Sequence, residues 1–585
     1  MRNLTRNSPA ESAITAVASE VNSGGISGDP SNSGDNTKIA LSGGGADVGG
    51  KSLKITISQN KDYDYKLNRD GITGPSFSVI SNNPSVISFE LIDGITLRLR
   101  GLKAGRSSIR IDEKTSGDVR FLGVRVLTAS GGVPGMPDYV SIGSVSEDTP
   151  TDLSFWNQYA KGDTNKRIDI RYIYINGGPV NGWRTWSRLQ NVDGYRAISY
   201  IQESKKRGIV PFFVYYNIPG SAEGYQVDKQ HIEDAGYMAS YFKDLKFFLD
   251  IVHREGGDDP VGIVLEPDFI AYMMQQSSGK QPTPLDQLTA QTSAVYSSGV
   301  LTLADGSFPN TIQGLIQAIN HTIKKYAPNA LFGWQFNLWA SPGITVGVPS
   351  NGIVHLTDTM GIDAGRSAIA NEAKQVASYY LKGGIATNGA SFISFDKYGL
   401  DGAAIPGSAE NPSSSVWFWN ADHWNNYLLY VKTIHEATNL PAILWQIPVG
   451  HINSSLAKDP YLSQTGPFPD LDNTVAHYED SAPTFFLGDT FNPGSAARFN
   501  YFMTNKGGDS KITSGNNNTI QWEKHMQETR DAGVISILFG AGVGASTHGI
   551  GSSPGTPPGS PPGDSYWWIT QVQRYYSNPT PLSTG

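Results

Sequence analysis

Cysteine is absent from the 585 residues, and this absence removes several classes of chemistry. Without thiols there is no disulfide framework, no thiolate metal site and no cysteine nucleophile. Charged residues are also few, at 17% of the chain, and the formal net charge is −8. Binding to phosphate backbones needs a basic face, so we expect no nucleic-acid partner.

Long hydrophobic runs are missing as well. No stretch of about 18 apolar residues occurs, so we expect no membrane span. The first five residues lack the apolar core of an export signal, which leaves two expectations open: a removed signal or another export route. The 65 glycines and the Asn/Ser-rich loops favour a secreted or cell-surface bacterial protein.

Four regions follow from the composition along the chain. Residues 1–50 form a Gly/Ser-rich arm without periodicity, and residues 129–137 form a Gly/Pro-rich linker. Between them, residues 51–128 show short alternating strands separated by turns. This stretch resembles a bacterial immunoglobulin-like domain of group 2. The resemblance implies a small all-β sandwich that makes cell-surface or homo-oligomer contacts.

Residues 138–585 alternate between strands and helices, as parallel βα units do. Seven or eight such units predict a TIM-like α/β barrel. An open doubly wound sheet is the alternative, but no Gly-rich dinucleotide turn follows the first strand. The expected helices span residues 232–254, 311–326, 370–381 and 424–437. The expected strands span residues 168–176, 209–217, 261–266, 331–337, 391–395, 442–447, 484–487 and 534–539.

Catalytic groups of such barrels gather where strands end in loops. The apolar run 261–265 is followed by Glu266-Pro267-Asp268. Two carboxyls this close to a buried strand end repel each other, so one can keep its proton near neutral pH. A protonated acid beside a cleft is what a glycosidic oxygen needs. Equally, Asp268 can cap the next helix through its side chain.

Residues 208–275 resemble glycoside hydrolase family 6, the inverting cellulases and cellobiohydrolases. The resemblance rests on Tyr216-Asn217-Ile218-Pro219, on Glu266-Pro267-Asp268 and on the closing segment 565–581. It implies a cellulase-like O-glycosyl hydrolase with Asp268 as the general acid. The family has a second aspartate in the upstream loop. Here Ala222 stands at that place, and the neighbouring Glu223 is its candidate substitute.

A general base is harder to find. The family's motif after the last strand is replaced here by 540–549, where His548 lies near the expected aspartate. An inverting enzyme needs a base roughly 6.5–9.5 Å from the acid. Asp396, Asp401 and Asp489 are the candidates at the ends of other predicted strands.

Polar and aromatic residues at the predicted strand ends are candidates for substrate binding. The polar candidates are Asn217, Glu266, Asn337, Tyr398, Gln446, His451 and His548. Tryptophans in loops can stack on sugar rings, and the candidates are Trp183, Trp186, Trp417 and Trp419. Trp334 and Trp445, within strands, are expected in the core. No spacing typical of a metal site occurs, so no metal or cofactor is expected.

Three hypotheses remain open from the sequence. The first is hydrolysis of a β-linked, cellulose-like glucan by inversion. The second is a non-catalytic polysaccharide-binding or cell-surface structural protein on a degenerate glycosidase barrel. The third is a glycosidase that pairs Asp268 with Asp396. Each expects a polysaccharide partner.

Overall fold

The computed structural model describes residues 38–44, 53–127, 133, 135–157, 166–186, 192–277, 281–341, 352–397, 418–459, 466–474, 478–540 and 564–582. Two four-stranded sheets occupy the N-terminal part, and a closed parallel barrel follows. The predicted fold class, an all-β sandwich followed by an α/β barrel, is confirmed.

The N-terminal part is a sandwich with one shared apolar core. Its sheets have the orders β1-β3-β6-β5 and β2-β8-β7-β4. Alternate residues of β6 and β7, such as Leu97, Leu99, Ile109 and Ile111, are fully buried in that core. Its immunoglobulin-like character and the domain boundaries stay predictions. The strands are β1 (Ile39–Gly43), β2 (Lys54–Ser58), β3 (Asp62–Arg69), β4 (Phe77–Ser81), β5 (Ile87–Leu91), β6 (Thr96–Gly101), β7 (Gly105–Glu113) and β8 (Val119–Leu127).

Eight parallel strands close the barrel in the order β10-β11-β12-β13-β14-β15-β19-β9. Nearly every side chain of these strands is buried, because the barrel interior covers one face and helices cover the other. Closure rules out the open doubly wound sheet. The strands are β9 (Ser141–Val145), β10 (Ile170–Asn176), β11 (Val210–Tyr216), β12 (Val261–Leu265), β13 (Ala330–Phe336), β14 (Phe392–Asp396), β15 (Ala442–Ile447) and β19 (Val534–Phe539).

Helices surround the barrel, and within the described ranges none is both long and apolar enough to cross a membrane. The predicted helix 232–254 is divided at Asp234, whose side chain accepts the N–H of Tyr237 at 2.7 Å and starts a new helix. The helices are α1 (Pro150–Trp156), α2 (Tyr195–Lys206), α3 (Tyr225–Glu233), α4 (Ala235–Gly256), α5 (Phe269–Gln276), α6 (Ala294–Ser297), α7 (Ile312–Tyr326), α8 (Leu356–Met360), α9 (Ile362–Lys382), α10 (Ala421–Thr438), α11 (Ala482–Leu487), α12 (Ala496–Phe502), α13 (Met526–Asp531) and α14 (Trp567–Tyr576).

One predicted strand is wrong. Residues 484–487 belong to α11, because Pro483 suits the first helical turn and Gly488, with φ +84°, ends it. The eighth barrel strand is instead β9, between β19 and β10. Asp489 therefore does not end a barrel strand. It begins β16 (Asp489–Phe491), which forms a small antiparallel sheet with β17 (Ile512–Ser514) and β18 (Ile520–Trp522).

The sandwich packs closely against the amino-terminal end of the barrel strands. A Cβ added at Gly123 would lie 1.9 Å from the carbonyl oxygen of Lys205, just before β11. Just before β12, Asp259 forms a buried ion pair with Arg106 of the sandwich, at 3.0 Å. The opposite, carboxyl-terminal ends of the strands are left for the loops that carry the candidate site.

Candidate active site at the carboxyl ends of the barrel strands

Glu266, the first residue after β12, is locked in place by protein donors. Its Oε2 accepts the main-chain N–H groups of Asn217 and Ile218, both at 3.0 Å, and its Oε1 accepts the Tyr241 hydroxyl at 2.8 Å. Burial raises the pKa of Glu266 to about 8, although these hydrogen bonds oppose the rise. The side chain is 2% exposed. It therefore holds the loop after β11 to the end of β12, in place of the predicted contact with substrate.

Asp268 stands at the N-cap of α5 but does not cap it through its side chain. The capping alternative is therefore wrong. The carboxyl turns towards β13 instead, where Oδ1 accepts the side-chain amides of Asn337 at 2.6 Å and Gln335 at 3.3 Å. Asp268 is half-buried and has φ +69°, a conformation that few aspartates adopt outside special sites.

The two amides can serve either protonation state of Asp268. As they stand, both donate to one carboxylate oxygen, which favours the charged form. Their own oxygens, Asn337 Oδ1 and Gln335 Oε1, are buried without a hydrogen-bond partner among the described residues. Turning either amide over would present an acceptor to a protonated carboxyl. Asn337, predicted as substrate-binding, thus contacts the proposed acid.

Asp228 is a site residue that the sequence analysis missed. It lies in α3, is 1% exposed, and neither carboxyl oxygen has a hydrogen-bond partner in the described part of the chain. Burial raises its pKa well above the usual value, and the charges of Glu266, Asp268 and Glu223 raise it further. The available signal was spacing, since an acid four residues before the buried Ile232 lies on the apolar face of the helix.

Tyr216 and Glu223 complete this group of acids. Tyr216, the last residue of β11, is 5% exposed, and its hydroxyl has no partner among the described residues. Burial raises the pKa of Tyr216 well above its usual value, as do the charges of Glu223, Asp268 and Asp228. The hydroxyl is therefore within electrostatic range of the three carboxyls, but it forms no hydrogen bond with any of them. Glu223 is half-buried in the loop before α3.

Further round the barrel, Asp396 ends β14 and is half-buried. One strand, β13, separates β14 from β12, and neighbouring strands lie about 4.8 Å apart, so the ends of β12 and β14 are about 10 Å apart. Gln446 lies near the end of β15 and has φ +50°. Its side-chain amide donates a hydrogen bond to the hydroxyl of Tyr174 in β10. Asn217 is fully buried and bridges Gly178 and Ile175. It therefore ties two loops together.

Asp489 and His451 lie in the long connection between β15 and β19. Burial raises the pKa of Asp489 to about 7, while a hydrogen bond from Ser455 lowers it. His451 is fully buried and stacks on Trp567 with ring centroids 5.1 Å apart, and burial lowers its pKa to about 4. It is a neutral packed ring at physiological pH.

The tryptophans divide into core residues and one half-exposed ring. Trp334 and Trp445 are 1% exposed, as expected. Trp183 is fully buried and donates its indole N–H to Asp244 at 3.0 Å; Trp419 is fully buried against Trp424, with centroids 4.6 Å apart. Both therefore pack in the core and offer no face to a sugar. Trp186 is half-buried. Trp417, Tyr398, His548 and Asp401 lie outside the described residues.

A second polar cluster, His355, Asp358 and His423, has ligand atoms close enough for a metal ion. Asp358 Oδ2 lies 3.1 Å from His355 Nδ1 and 2.8 Å from His423 Nε2. However, His423 Nδ1 accepts the N–H of Asn420 at 3.4 Å, so the neutral ring carries its proton on Nε2 and donates it to Asp358. Such a nitrogen has no lone pair for a metal. Hydrogen bonds satisfy this cluster, which joins the loop after β13 to α10.

The fold and the site together define an eight-stranded α/β barrel with acids gathered at the carboxyl end of β12. No protein-family model matches the chain, and no curated protein is similar in sequence.

Solved structures offer only weak similarity. An endo-beta-1,4-mannanase from Thermotoga petrophila is 13% identical, over 54% of this chain and 63% of that one, with a TM-score of 0.30. Endoglucanase CEL6B from Humicola insolens is 13% identical, over 66% and 82%, with a TM-score of 0.25. Domains 4 and 5 of the S-layer protein SbsC are 16% identical, over 13% and 42%, with a TM-score of 0.12. The chain spans less than two thirds of the mannanase and the S-layer fragment, and at these scores none of the three bears on activity.

Proposed function

We propose that the protein is a glycoside hydrolase that cleaves β-linked glucan with inversion, and that Asp268 is its general acid. The observation that supports this most is the placement of Asp268. It is half-buried at a barrel strand end, turned away from helix capping and held by Asn337 at 2.6 Å. In α/β barrels this end of the strands carries the chemistry.

In the proposed reaction, Asp268 gives its proton to the glycosidic oxygen while the bond to the anomeric carbon breaks. A water molecule attacks from the opposite face, and a base takes its proton. We assign the base to Asp396, because it ends β14, and strand ends about 10 Å apart allow carboxyls roughly 6.5–9.5 Å apart. Asp489 is the second candidate, since burial brings its pKa to about 7. Glu223 adds negative charge beside the acid and favours its protonated form.

Sugar contacts are proposed at the remaining predicted positions. Trp186 has part of its ring exposed beside the end of β10, and Gln446 lies at the end of β15. Trp417, Tyr398 and His548 keep the roles predicted from the sequence. A glucan partner suits a protein that is secreted or on the cell surface, and we propose that location too.

The deciding experiment is a digest of β-glucans, mannans and xylans, with released oligosaccharides followed by mass. We expect product from β-glucan, and a loss of about 10²–10⁴-fold in Asp268→Asn. Asp250→Asn is the matched control, because Asp250 is a part-exposed acid on α4. NMR of the first product should show the α-anomer. Full activity in Asp268→Asn, or a β-anomer first, would contradict the proposal.

A second candidate function is non-catalytic polysaccharide binding. It is favoured by the absence of any aspartate from the sequence 540–549, where the family's base is expected. Calorimetric titration with cello-oligosaccharides separates the two functions. Binding that is equal in wild type and Asp268→Asn, with no product from either, would support the binding function.

A further inference from the structure

A cavity of about 860 Å³ lies at the amino-terminal end of the barrel strands, opposite the candidate active site. Its wall includes the residues at which, or just after which, β12, β13, β14 and β15 begin: Pro260, Ala330, Ser391 and Pro441. Arg125 of β8 lines it on the sandwich side. Pockets of roughly 300–1,000 Å³ are the size that small ligands occupy in proteins. The junction between sandwich and barrel therefore leaves room for a small molecule.

Much of the cavity wall is apolar. Leu331 belongs to the cluster of side chains that fills the barrel interior, and Val133 and Ile535 pack against that cluster. Val133 and Ile535 are only half-buried, so part of their apolar surface is left uncovered. The aromatic residue in the wall, Phe332, is 1% exposed and offers no face on which a sugar ring could stack. A ligand with an apolar body other than a sugar would cover this surface, which is favourable in water.

Arg125 brings to the cavity a positive charge that its protein partners use only in part. Its Nη1 donates to the carbonyl oxygen of Asp258 at 3.1 Å and lies 3.5 Å from Asp259 Oδ1, whereas its Nη2 has no hydrogen-bond partner among the described residues. Lys54 and Arg106 contact the same two aspartates, at 2.5 Å and 3.0 Å. Three cations thus share two anions. Burial lowers the pKa of Arg125, and the charge of Arg106 lowers it further, so an added anion would stabilise the guanidinium.

Lys324, in the last turn of α7, is the second cation of the wall. It is exposed, and its ammonium forms no ion pair or hydrogen bond within the part of the chain that the structure describes. The acid in the wall, Asp258, is already paired with Lys54. On a protein with a formal net charge of −8, this local surplus of positive charge attracts anions to the cavity.

We propose that this cavity binds a small amphipathic anion. The apolar body of the ligand lies against Leu331 and Ile535. Its acidic group contacts Arg125 and Lys324. The inference goes beyond the proposed function, because the cavity lies at the other end of the barrel from Asp268. Since Arg125 belongs to the sandwich and the other contacts belong to the barrel, the bound anion stabilises the two parts together.

Fluorescence titration with anilinonaphthalene sulfonate, an aromatic anion, tests the site on the full chain. We expect saturable binding, and we expect decanoate to displace the probe. Decanol has the same chain without the charge, and it should displace the probe at least about tenfold less well, because contacts to a charged group are the stronger ones. Raising the salt concentration from about 0.1 M to about 1 M should weaken decanoate more than decanol, since salt screens the charges.

Ser391→Phe and Ser391→Ala are a matched pair of variants, because only the larger side chain fills the cavity. Ser391 lines the cavity, and its main-chain N–H donates to the carbonyl of Phe332 whichever side chain it carries. Ser391→Phe should weaken probe binding at least about 20-fold, while Ser391→Ala should stay within about twofold of wild type. Lys324→Glu should weaken binding about 5–10-fold, because it reverses one charge of the wall. Lys243→Glu changes an exposed lysine on α4 and should have no effect.

Three results would overturn the anion site: no saturable binding to the wild type, equal displacement by decanol and decanoate, or unchanged binding in Ser391→Phe. If Ser391→Phe does not fold, Lys324→Glu decides, since full affinity in that variant also overturns the site. Asp268→Asn should bind the probe as the wild type does. A wild type that binds the probe but releases no product from glucan would contradict only the proposed function, so the two proposals fail separately.

Discussion

Asn337 donates its side-chain amide to Asp268 at 2.6 Å and so joins the ends of two neighbouring barrel strands. The register of β12 and β13 brings them together, since Leu265, the last residue of β12, pairs with Trp334, and β13 ends two residues later at Phe336. Asn337 is itself held by the Tyr430 hydroxyl, which donates to its carbonyl oxygen at 3.0 Å. Asp268 is thus oriented by Asn337, whose own main chain is held by a hydrogen bond from Tyr430.

The first prediction concerns this contact. Asn337→Ala should lower kcat on β-glucan about 10–100-fold, because a hydrogen bond to a charged group contributes about 1.5–3 kcal/mol. Gln335→Ala should lower it less, since its amide is 3.3 Å from Asp268. Initial rates with soluble glucan measure both. A larger loss in Gln335→Ala than in Asn337→Ala would show that the shorter contact does not orient the acid.

The second prediction is a pH dependence of stability set by Glu266. Its pKa is raised from 4.5 to about 8 by burial in the folded protein. The carboxyl therefore contributes its full stability below about pH 4.5, and that contribution is lost as the pH rises through about 8. The loss is on the order of 5 kcal/mol if the whole shift is realised. Urea unfolding at pH 5, 7 and 9 should show a steady decline.

Glu266→Gln is the control for that decline. The amide oxygen can accept the N–H groups of Asn217 and Ile218, and the amide nitrogen can donate to Tyr241. The variant should be within about 1 kcal/mol of wild type at pH 5 and more stable than wild type at pH 9. Parallel curves for the two proteins would contradict the assignment to Glu266.

Much of the barrel is visible in the sequence because buried parallel strands are continuous apolar runs. Seven strands, β10 to β15 and β19, are predicted within about two residues. The exceptions have local causes. β9, Ser141–Val145, is built of small residues, and Gly143 has room for no side chain against Ile170 and Leu538. The helix α11 is fully buried, so its residues are apolar on every side. Its sequence therefore lacks the helical alternation of apolar and polar residues that would distinguish it from a buried strand.

The site is less predictable than the fold. Asp268 stands out because two acids follow a strand, and Glu223 because it neighbours a family motif. Asp228 gives only a helix-spacing signal, and its role depends on which groups the fold brings against it. Burial of Trp183 and Trp419 is likewise set by tertiary packing, since a tryptophan in a loop looks the same whether it faces solvent or core.

The third prediction concerns the junction of sandwich and barrel. Gly123→Ala should separate the two parts, because the new Cβ would lie 1.9 Å from the carbonyl oxygen of Lys205 and the main chain cannot yield there. Scanning calorimetry should then show two transitions in place of one, the sandwich unfolding first. Thr115→Ala, on an exposed turn of the sandwich, should leave the trace unchanged. A single unshifted transition in Gly123→Ala would show that the contact is not tight in solution.

The fourth prediction concerns the buried ion pair between Asp480 and Lys397, the residue after Asp396. Nζ and Oδ2 are 2.7 Å apart, and the side chains are 0% and 3% exposed. Burial lowers the pKa of Lys397 and raises that of Asp480. Each charge is therefore unfavourable in this buried site without the other. Lys397→Met should cost about 3–5 kcal/mol, because it leaves Asp480 charged, buried and unpaired. The double variant Lys397→Met/Asp480→Asn should recover much of that loss, since the introduced amide oxygen would keep the hydrogen bond from the N–H of Ala482. Urea unfolding of the wild type, both single variants and the double variant gives the coupling, and a double variant that loses the sum of the two single losses would show that the two residues act independently.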